Sequence, residues 1–383
     1  MQLCFGYFSL SVIIGIMIKW FLAHGMHSIS FLVYSSAGAS LLIVPVVIAL
    51  RWYRLESNRR ITWMGMDLPS ELLYIIPSGI CCAVILPATT LMFTLPITVM
   101  TAMTIMRGSV IVIGRVVDEI QIRQGILKKK VHWAANVAVL FALCAIGVHL
   151  YVGWLDGQST TNVVGREGSS DGAFDFVRNP AALTICLSYI FAYGVRIYLM
   201  NYFKNTRGKT VKLDNKGFFA IEQFTVAVTL VLVTAVLVTL PLDNHQISLV
   251  RVAITTPLPY WSGAVLAGMT VGISVFFSVG LFMFKGRTAT FSVLVNRLTS
   301  LVGGTTATLI FWLCFSGRAV ETADWIALLF VCGAIALLTI AEQQEAIELR
   351  AAEQSQSEAA IPSTRARQLR HVEARSSEAV DSS

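Results

Sequence analysis

Residues 72–117 read LLYIIPSGICCAVILPATTLMFTLPITVMTAMTIMRGSVIVIGRVV. As far as Gly114 this block carries a single charge, Arg107. It is too long for one membrane crossing, because about 20 apolar residues already span a ~30 Å hydrocarbon core. Pro87 and Pro96 mark where it turns, since proline removes a helix donor. The block therefore reads as two spans, at about 72–93 and 96–117. Working outward, the same texture recurs at about 3–23, 29–50, 132–153, 180–203, 217–240, 259–284, 288–313 and 323–341. Pro241, Pro257 and Pro259 separate the seventh of these ten segments from the eighth.

The composition agrees with a membrane chain. Of 383 residues, 55% are hydrophobic and 13% charged, where a soluble chain carries about 25% charged residues. A surface that poor in charge does not keep a monomer in water. A transmembrane barrel needs alternating segments of about 10 residues, and none are seen. The fold class expected is all-α and polytopic. The net charge of +7 reads first as the positive-inside bias of loops and not as a nucleic-acid surface. The seven cysteines all lie in apolar stretches without metal-ligand spacing, and read as small packing residues. The N-terminus lacks a basic n-region and Lys19 interrupts the apolar run, so the first segment is expected to be a retained helix and not a cleaved signal peptide.

Loop charges orient the segments. The even-numbered loops hold sixteen basic residues, among them Arg51, Arg59, Lys128, Lys129, Lys130, Lys209 and Lys285. The odd loops hold four: Arg166, Arg178, Arg251 and Arg318. The even loops, and with ten spans both termini, are then expected in the cytoplasm. Residues 1–153 form a first five-helix unit, 154–179 a polar non-cytoplasmic loop, 180–341 a second five-helix unit, and 342–383 a cytoplasmic, largely disordered tail. The host decides between a plasma (inner) membrane and a Golgi or other endomembrane.

The two units can be overlaid. Arg107 is followed seven residues later by Gly114 and then by Trp133; Arg297 is followed seven residues later by Gly304 and then by Trp325. Five is odd, so two five-helix units lie in opposite orientations. Inverted repeats of this kind mark many secondary transporters, with the substrate near the midplane.

No Walker A, G-x-S-x-G or H-E-x-x-H sequence is present; neither an enzyme nor a cofactor or metal site is expected. The histidines near span ends, His24, His27 and His149, read as interfacial polar groups. Gly268 and Gly272 form a G-x-x-x-G pair suited to close helix packing. The informative residues are charges inside apolar spans, each costing about 2.5–3.5 kcal/mol on insertion scales. Arg107, Arg297 beside Asn296, and Arg196 lie deep. Lys19 is close enough to a span end to snorkel. Glu222 is the only acid expected at depth, and one acid does not neutralise three arginines. Substrate-binding candidates are therefore Arg107, Arg297, Asn296, Arg196 and Lys19, with Glu222 as counter-ion or proton-coupling group.

Lys19-Trp20 at the end of the first span resembles the Asn-Lys-Trp of the drug/metabolite transporter superfamily, in its nucleotide-sugar and triose-phosphate branch, with Ile18 in place of the asparagine. Met106-Arg107-Gly108-Ser109-Val110 resembles the Arg-Gly stretch of that branch's fourth helix. Val293-Leu294-Val295-Asn296-Arg297 resembles the Gly-Ala-Leu-Asn-Lys of its ninth, keeping the asparagine and the charge. Ile221-Glu222-Gln223 does not match the Phe-Tyr-Asn-Asn of some members. The resemblance implies alternating-access transport of a small polar metabolite, often by exchange, with the fourth and ninth helices lining the cavity. The expectation is a secondary transporter for an organic anion, a phosphorylated sugar or nucleotide sugar. Its partners are that substrate and the lipid bilayer, with a homodimer left open and no nucleic acid. The rival readings are efflux of neutral or cationic compounds, in which Glu222 matters more than the arginines, and a non-transporting scaffold or receptor whose buried charges pair with one another.

Overall fold

The structure, a computed structural model, describes residues 2–55, 57, 60–63, 66–94, 99–127, 133–160, 180–207, 213–241, 244–283, 288–315, 325–341, 343, 344 and 347. The order is α1 (Gln2–Ala23), α2 (Ser28–Ala49), β1 (Arg60–Trp63), β2 (Met66–Pro69), α3 (Leu72–Thr94), α4 (Val99–Arg123), α5 (Trp133–Thr160), α6 (Pro180–Asn205), α7 (Asn215–Thr239), α8 (His245–Thr255), α9 (Trp261–Phe282) and α10 (Ala289–Phe315). An apolar helix Trp325–Ala341, here α11, follows. Seven of these helices, α1, α2, α3, α6, α7, α9 and α10, are long and apolar enough to cross a membrane. The chain is an integral multi-pass membrane protein. Its outer surface agrees: Leu73, Phe191 and Leu329 are each more than 70% exposed, as side chains facing hydrocarbon are.

Three features correct the sequence reading. Eleven helices stand among the described residues where ten were expected. The additional one is α8, whose Asn244 cap accepts from the Gln246 N–H at 2.9 Å. At about 1.5 Å per residue its 11 residues are too short to cross; it packs along α2 with Ala253 buried. The loop after α2 is not irregular throughout. Arg60–Trp63 pairs antiparallel with Met66–Pro69, Ile61 opposite Leu68, and Thr62 Oγ1 donates to Asp67 Oδ1 across the ladder, so among the described residues the fold is all-α except for this strand pair. Pro87 does not end a span but lies inside α3, which runs to Thr94, with α4 starting at Val99; Pro96, the other expected turn, lies outside the described residues. Transmembrane helices tolerate an interior proline because neighbours re-satisfy the freed backbone groups.

The expected polar loop also begins later, since α5 continues to Thr160. Residues 161–179, Lys128–Lys130 and the tail beyond 347 lie outside the described residues.

Helix α2 packs chiefly on α9, α3 on α6 and α7, α1 on α9 and α10, and α4 on α5, α6 and α10. The α2–α9 crossing rests on small residues. A Cβ on Gly38 would collide with the Val265 carbonyl, and one on Gly268 with the backbone of Ser35. This is the close approach that G-x-x-x-G permits.

A polar clamp holds the end of the bundle where α9 turns into α10. Asp118 accepts from the N–H groups of Ala289 and Thr290, both at 2.7 Å, capping α10 from α4. Lys204 Nζ donates to the Phe282 carbonyl at 3.3 Å, and Asn201 Nδ2 to Gln121 Oε1 at 2.7 Å. Asp118 also corrects the expectation that Glu222 is the only deep acid: it lies one residue past the expected end of the fourth span, fully buried.

Candidate functional site

Arg297, on α10, is the centre of the site. Its Nη2 donates to the Tyr189 hydroxyl at 3.3 Å. Its guanidinium carbon lies 4.8 Å from the centroid of the Tyr193 ring, a cation–π distance. Tyr189 and Tyr193 are one turn apart on α6, so both reach α10, with ring centroids 5.2 Å apart. Tyr7 of α1 lies beside Asn296 and within electrostatic reach of Arg297 and Arg107. Asn296 Nδ2 donates to Ser278 Oγ of α9 at 2.9 Å. The Nε of Arg297 is buried with no hydrogen-bond partner among the described residues.

Arg107, on α4, joins this group. It interacts electrostatically with Arg297, Tyr7 and Tyr189. The two arginines that the sequence aligned are thus brought to one place by α4 and α10, which pack together. Among the described residues neither has a carboxylate partner. Two like charges in a low-dielectric interior repel. Guanidiniums bind carboxylate and phosphate through paired, directional N–H···O bonds, so the arrangement suits an anion.

The other candidates lie differently. Arg196 sits on Glu222: Nε donates to Oε1 at 2.9 Å and Nη2 to Oε2 at 3.1 Å. Ser78 Oγ adds a third donor to Oε1 at 2.8 Å. Both charged side chains are buried. Glu222 is therefore the counter-ion of Arg196, and Arg196 is a neutralised charge and not an open one. Lys19 Nζ donates to Thr308 Oγ1 at 2.6 Å, tying α1 to α10 away from the tyrosines. Among the described residues no group of three or more His, Cys, Asp or Glu side chains is placed to hold a metal.

Sequence reasoning missed the three tyrosines, and it offered Glu222 as a counter-ion without assigning it to Arg196. Signals for both were present. Tyr189 and Tyr193 are polar-tipped rings at i and i+4 in the middle of an apolar span, which place two hydroxyls on one face. Arg196 lies nine residues before the end of α6 and Glu222 seven after the start of α7. At about 1.5 Å per residue these are nearly equal depths on consecutive helices.

No family model matches the chain, and no curated protein matches it. A solved structure described only as "Crystal structure of protein" is similar, at 13% identity and a TM-score of 0.53, with 88% of this chain and 96% of that chain covered. At that identity the likeness shows the fold alone.

Proposed function

We propose that the chain is a secondary transporter of a small organic anion, of the drug/metabolite transporter type, with phosphorylated sugars and nucleotide sugars within the substrate class considered. The observation that carries this reading is the Arg107–Arg297 pair. It has no acid among the described residues, is ringed by Tyr7, Tyr189 and Tyr193, and lies between helices from both halves of the chain. A scaffold or receptor would pair its buried charges, as Arg196 and Glu222 do; these two are left for a ligand.

An inverted repeat supports the reading. Let α1 to α5 correspond to α6, α7, α9, α10 and α11. The α2–α9 contact then maps onto α3–α7, α3–α6 onto α1–α9, and α1–α10 onto α4–α6, while α4–α10 and α2–α7 map onto themselves; all of these contacts are made. Arg107 is the ninth residue of α4 and Arg297 the ninth of α10. Gly79 is the eighth residue of α3 and Gly268 the eighth of α9. Each of those glycines sits at one of the equivalent crossings, with Glu222 and Thr225 over Gly79 and Ser35 over Gly268. Rocking one half on the other would alternate access to a site held between them. On the loop charges both termini are cytoplasmic, with α8 outside the repeat.

Uptake into proteoliposomes, expression and melting temperature, measured together on Arg107→Ala, Arg297→Ala and Arg297→Lys, test this. The reading expects folded proteins, lost transport in both alanine variants, and weak binding in the lysine variant, which keeps charge without the planar fork. Alanine variants that melt early, while the surviving protein transports normally, would make the arginines structural.

A further inference from the structure

We infer that the anion carried by this chain is amphipathic, its charged head on Arg107 and Arg297 and a mainly apolar body, about two helical turns long, in a cavity stacked above them. The inference rests on the anion-transport reading and narrows its substrate. A cavity of about 510 Å³ lies between α1, α2, α3, α7 and α9, a volume that suits a drug-sized molecule. Its walls are mostly aliphatic, including Ile14, Ile18, Ile43, Leu86, Val271 and Val275. Neither arginine lines it. The faces that do line it lead to them. Tyr7 stands seven residues before Ile14 on α1, and Ser278 seven after Val271 on α9. Positions seven apart share a helix face, and at about 1.5 Å per residue both lie roughly 10 Å further along. Tyr7 is within reach of both arginines, and Ser278 accepts from Asn296. The tyrosine–arginine cluster thus lies beyond the lower end of the cavity, along the same faces of α1 and α9 that line it.

The walls are not purely hydrocarbon. Ser36, Ser40 and Thr90 line the cavity beside Gln223, whose Nε2 is buried without a partner among the described residues. A body carrying one carbonyl or ether oxygen fits that donor. The many hydroxyls of a sugar do not fit a wall of isoleucine and valine, which leaves most of them without partners.

The test is equilibrium binding to the full chain in lipid nanodiscs, with empty nanodiscs subtracted. The probes are inorganic phosphate, glucose 6-phosphate, hexyl phosphate and hexanol. Each buried methylene is worth about fourfold in affinity, so hexyl phosphate is expected to bind at least roughly tenfold tighter than glucose 6-phosphate. Val271→Thr combined with Val275→Thr keeps the volume and should remove most of that advantage while leaving inorganic phosphate unchanged. Arg297→Lys should weaken all three phosphates. Equal binding of hexyl and glucose phosphates, still dependent on Arg297, overturns the inference and leaves the anion reading standing. A hexyl advantage that survives the threonine pair also overturns it. Hexanol binding as tightly as hexyl phosphate, or indifference of every phosphate to Arg297→Lys, overturns the anion reading itself.

Discussion

Glu222→Gln is a sharp perturbation of the bundle. The wild-type carboxylate accepts three hydrogen bonds, two from Arg196 and one from Ser78, with both charged side chains out of solvent. Glutamine retains one acceptor oxygen and turns an NH₂ toward a guanidinium that has only donors to offer. The Arg196 charge then stays buried without its counter-ion. Removing one partner of a buried pair costs about 3–5 kcal/mol. At roughly 2 °C per kcal/mol for a large chain, the melting temperature should fall by about 6–10 °C. Replacing both residues with methionine should recover most of the loss, because an apolar pair of similar volume is often as stable as the ion pair. Tryptophan-fluorescence melts in nanodiscs at two scan rates read the effect, the second rate guarding against irreversible unfolding. A Glu222→Gln variant within about 2 °C of wild type would refute the counter-ion assignment. If that variant also kept exchange but lost pH-driven uptake, Glu222 would be a coupling group instead.

Two glycines in helix interiors should respond oppositely. Gly268→Ala drives a Cβ into the Ser35 backbone and should cut the yield of folded protein. Gly304→Ala meets nothing within 4 Å and should be neutral or stabilising by up to about 1 kcal/mol; size-exclusion profiles and melts distinguish them, and equal behaviour would contradict the α2–α9 packing described. Asp118→Asn should cost about 1.5–3 kcal/mol, the range for a charged hydrogen bond, and speed amide hydrogen exchange in the first turn of α10; protection unchanged at residues 289–292 would exclude the cap. His27, the cap of α2 outside the spans, accepts from the Ile29 N–H at 3.2 Å. Burial, and then His245, hold its pKa below the ordinary 6.5. A depressed histidine pKa favours the neutral folded form, so its contribution is present above the ordinary value of about 6.5 and is lost as pH falls below that, through the lowered folded pKa. The melting temperature should drop between pH 7.5 and 5, and less so in His27→Asn, which caps without titrating; an identical slope in the variant assigns the drop to other groups.

The apolar blocks made the membrane class and most helix positions legible, because about 20 uncharged residues in a row have few alternatives. Gly268 and Gly272 announced a close crossing for the same local reason. Facing directions were not legible. A helix apolar on every side carries no amphipathic stripe, so although Tyr189 and Tyr193 share one face of α6 by their spacing, nothing marked Tyr7 or Arg297 as their neighbours until α1, α6 and α10 were assembled. Asp118 was missed because it lies one residue past the expected end of the fourth span, and a carboxylate that caps another helix sits inside the protein whatever its distance from a span end. The strand pair and α8 were missed because short elements between spans are stabilised by local caps and by contacts with the bundle, which hydropathy does not report.

The partnership of Arg196 with Glu222 also bears on how the chain enters its membrane. Each residue, threaded alone, carries a penalty of about 2.5–3.5 kcal/mol at a span centre. They occupy consecutive helices at nearly equal depth. A ribosome that has just released α7 has therefore supplied the acid that α6 lacked, and the two can leave the translocon as one neutralised hairpin. Among the described residues no acid of α3 or α5 pairs with Arg107. Its ring of tyrosines comes from α1 and α6, and α6 is made only after 161–179 has been translated. The first half is thus expected to be held poorly in the bilayer when synthesised alone, and the second half to integrate on its own.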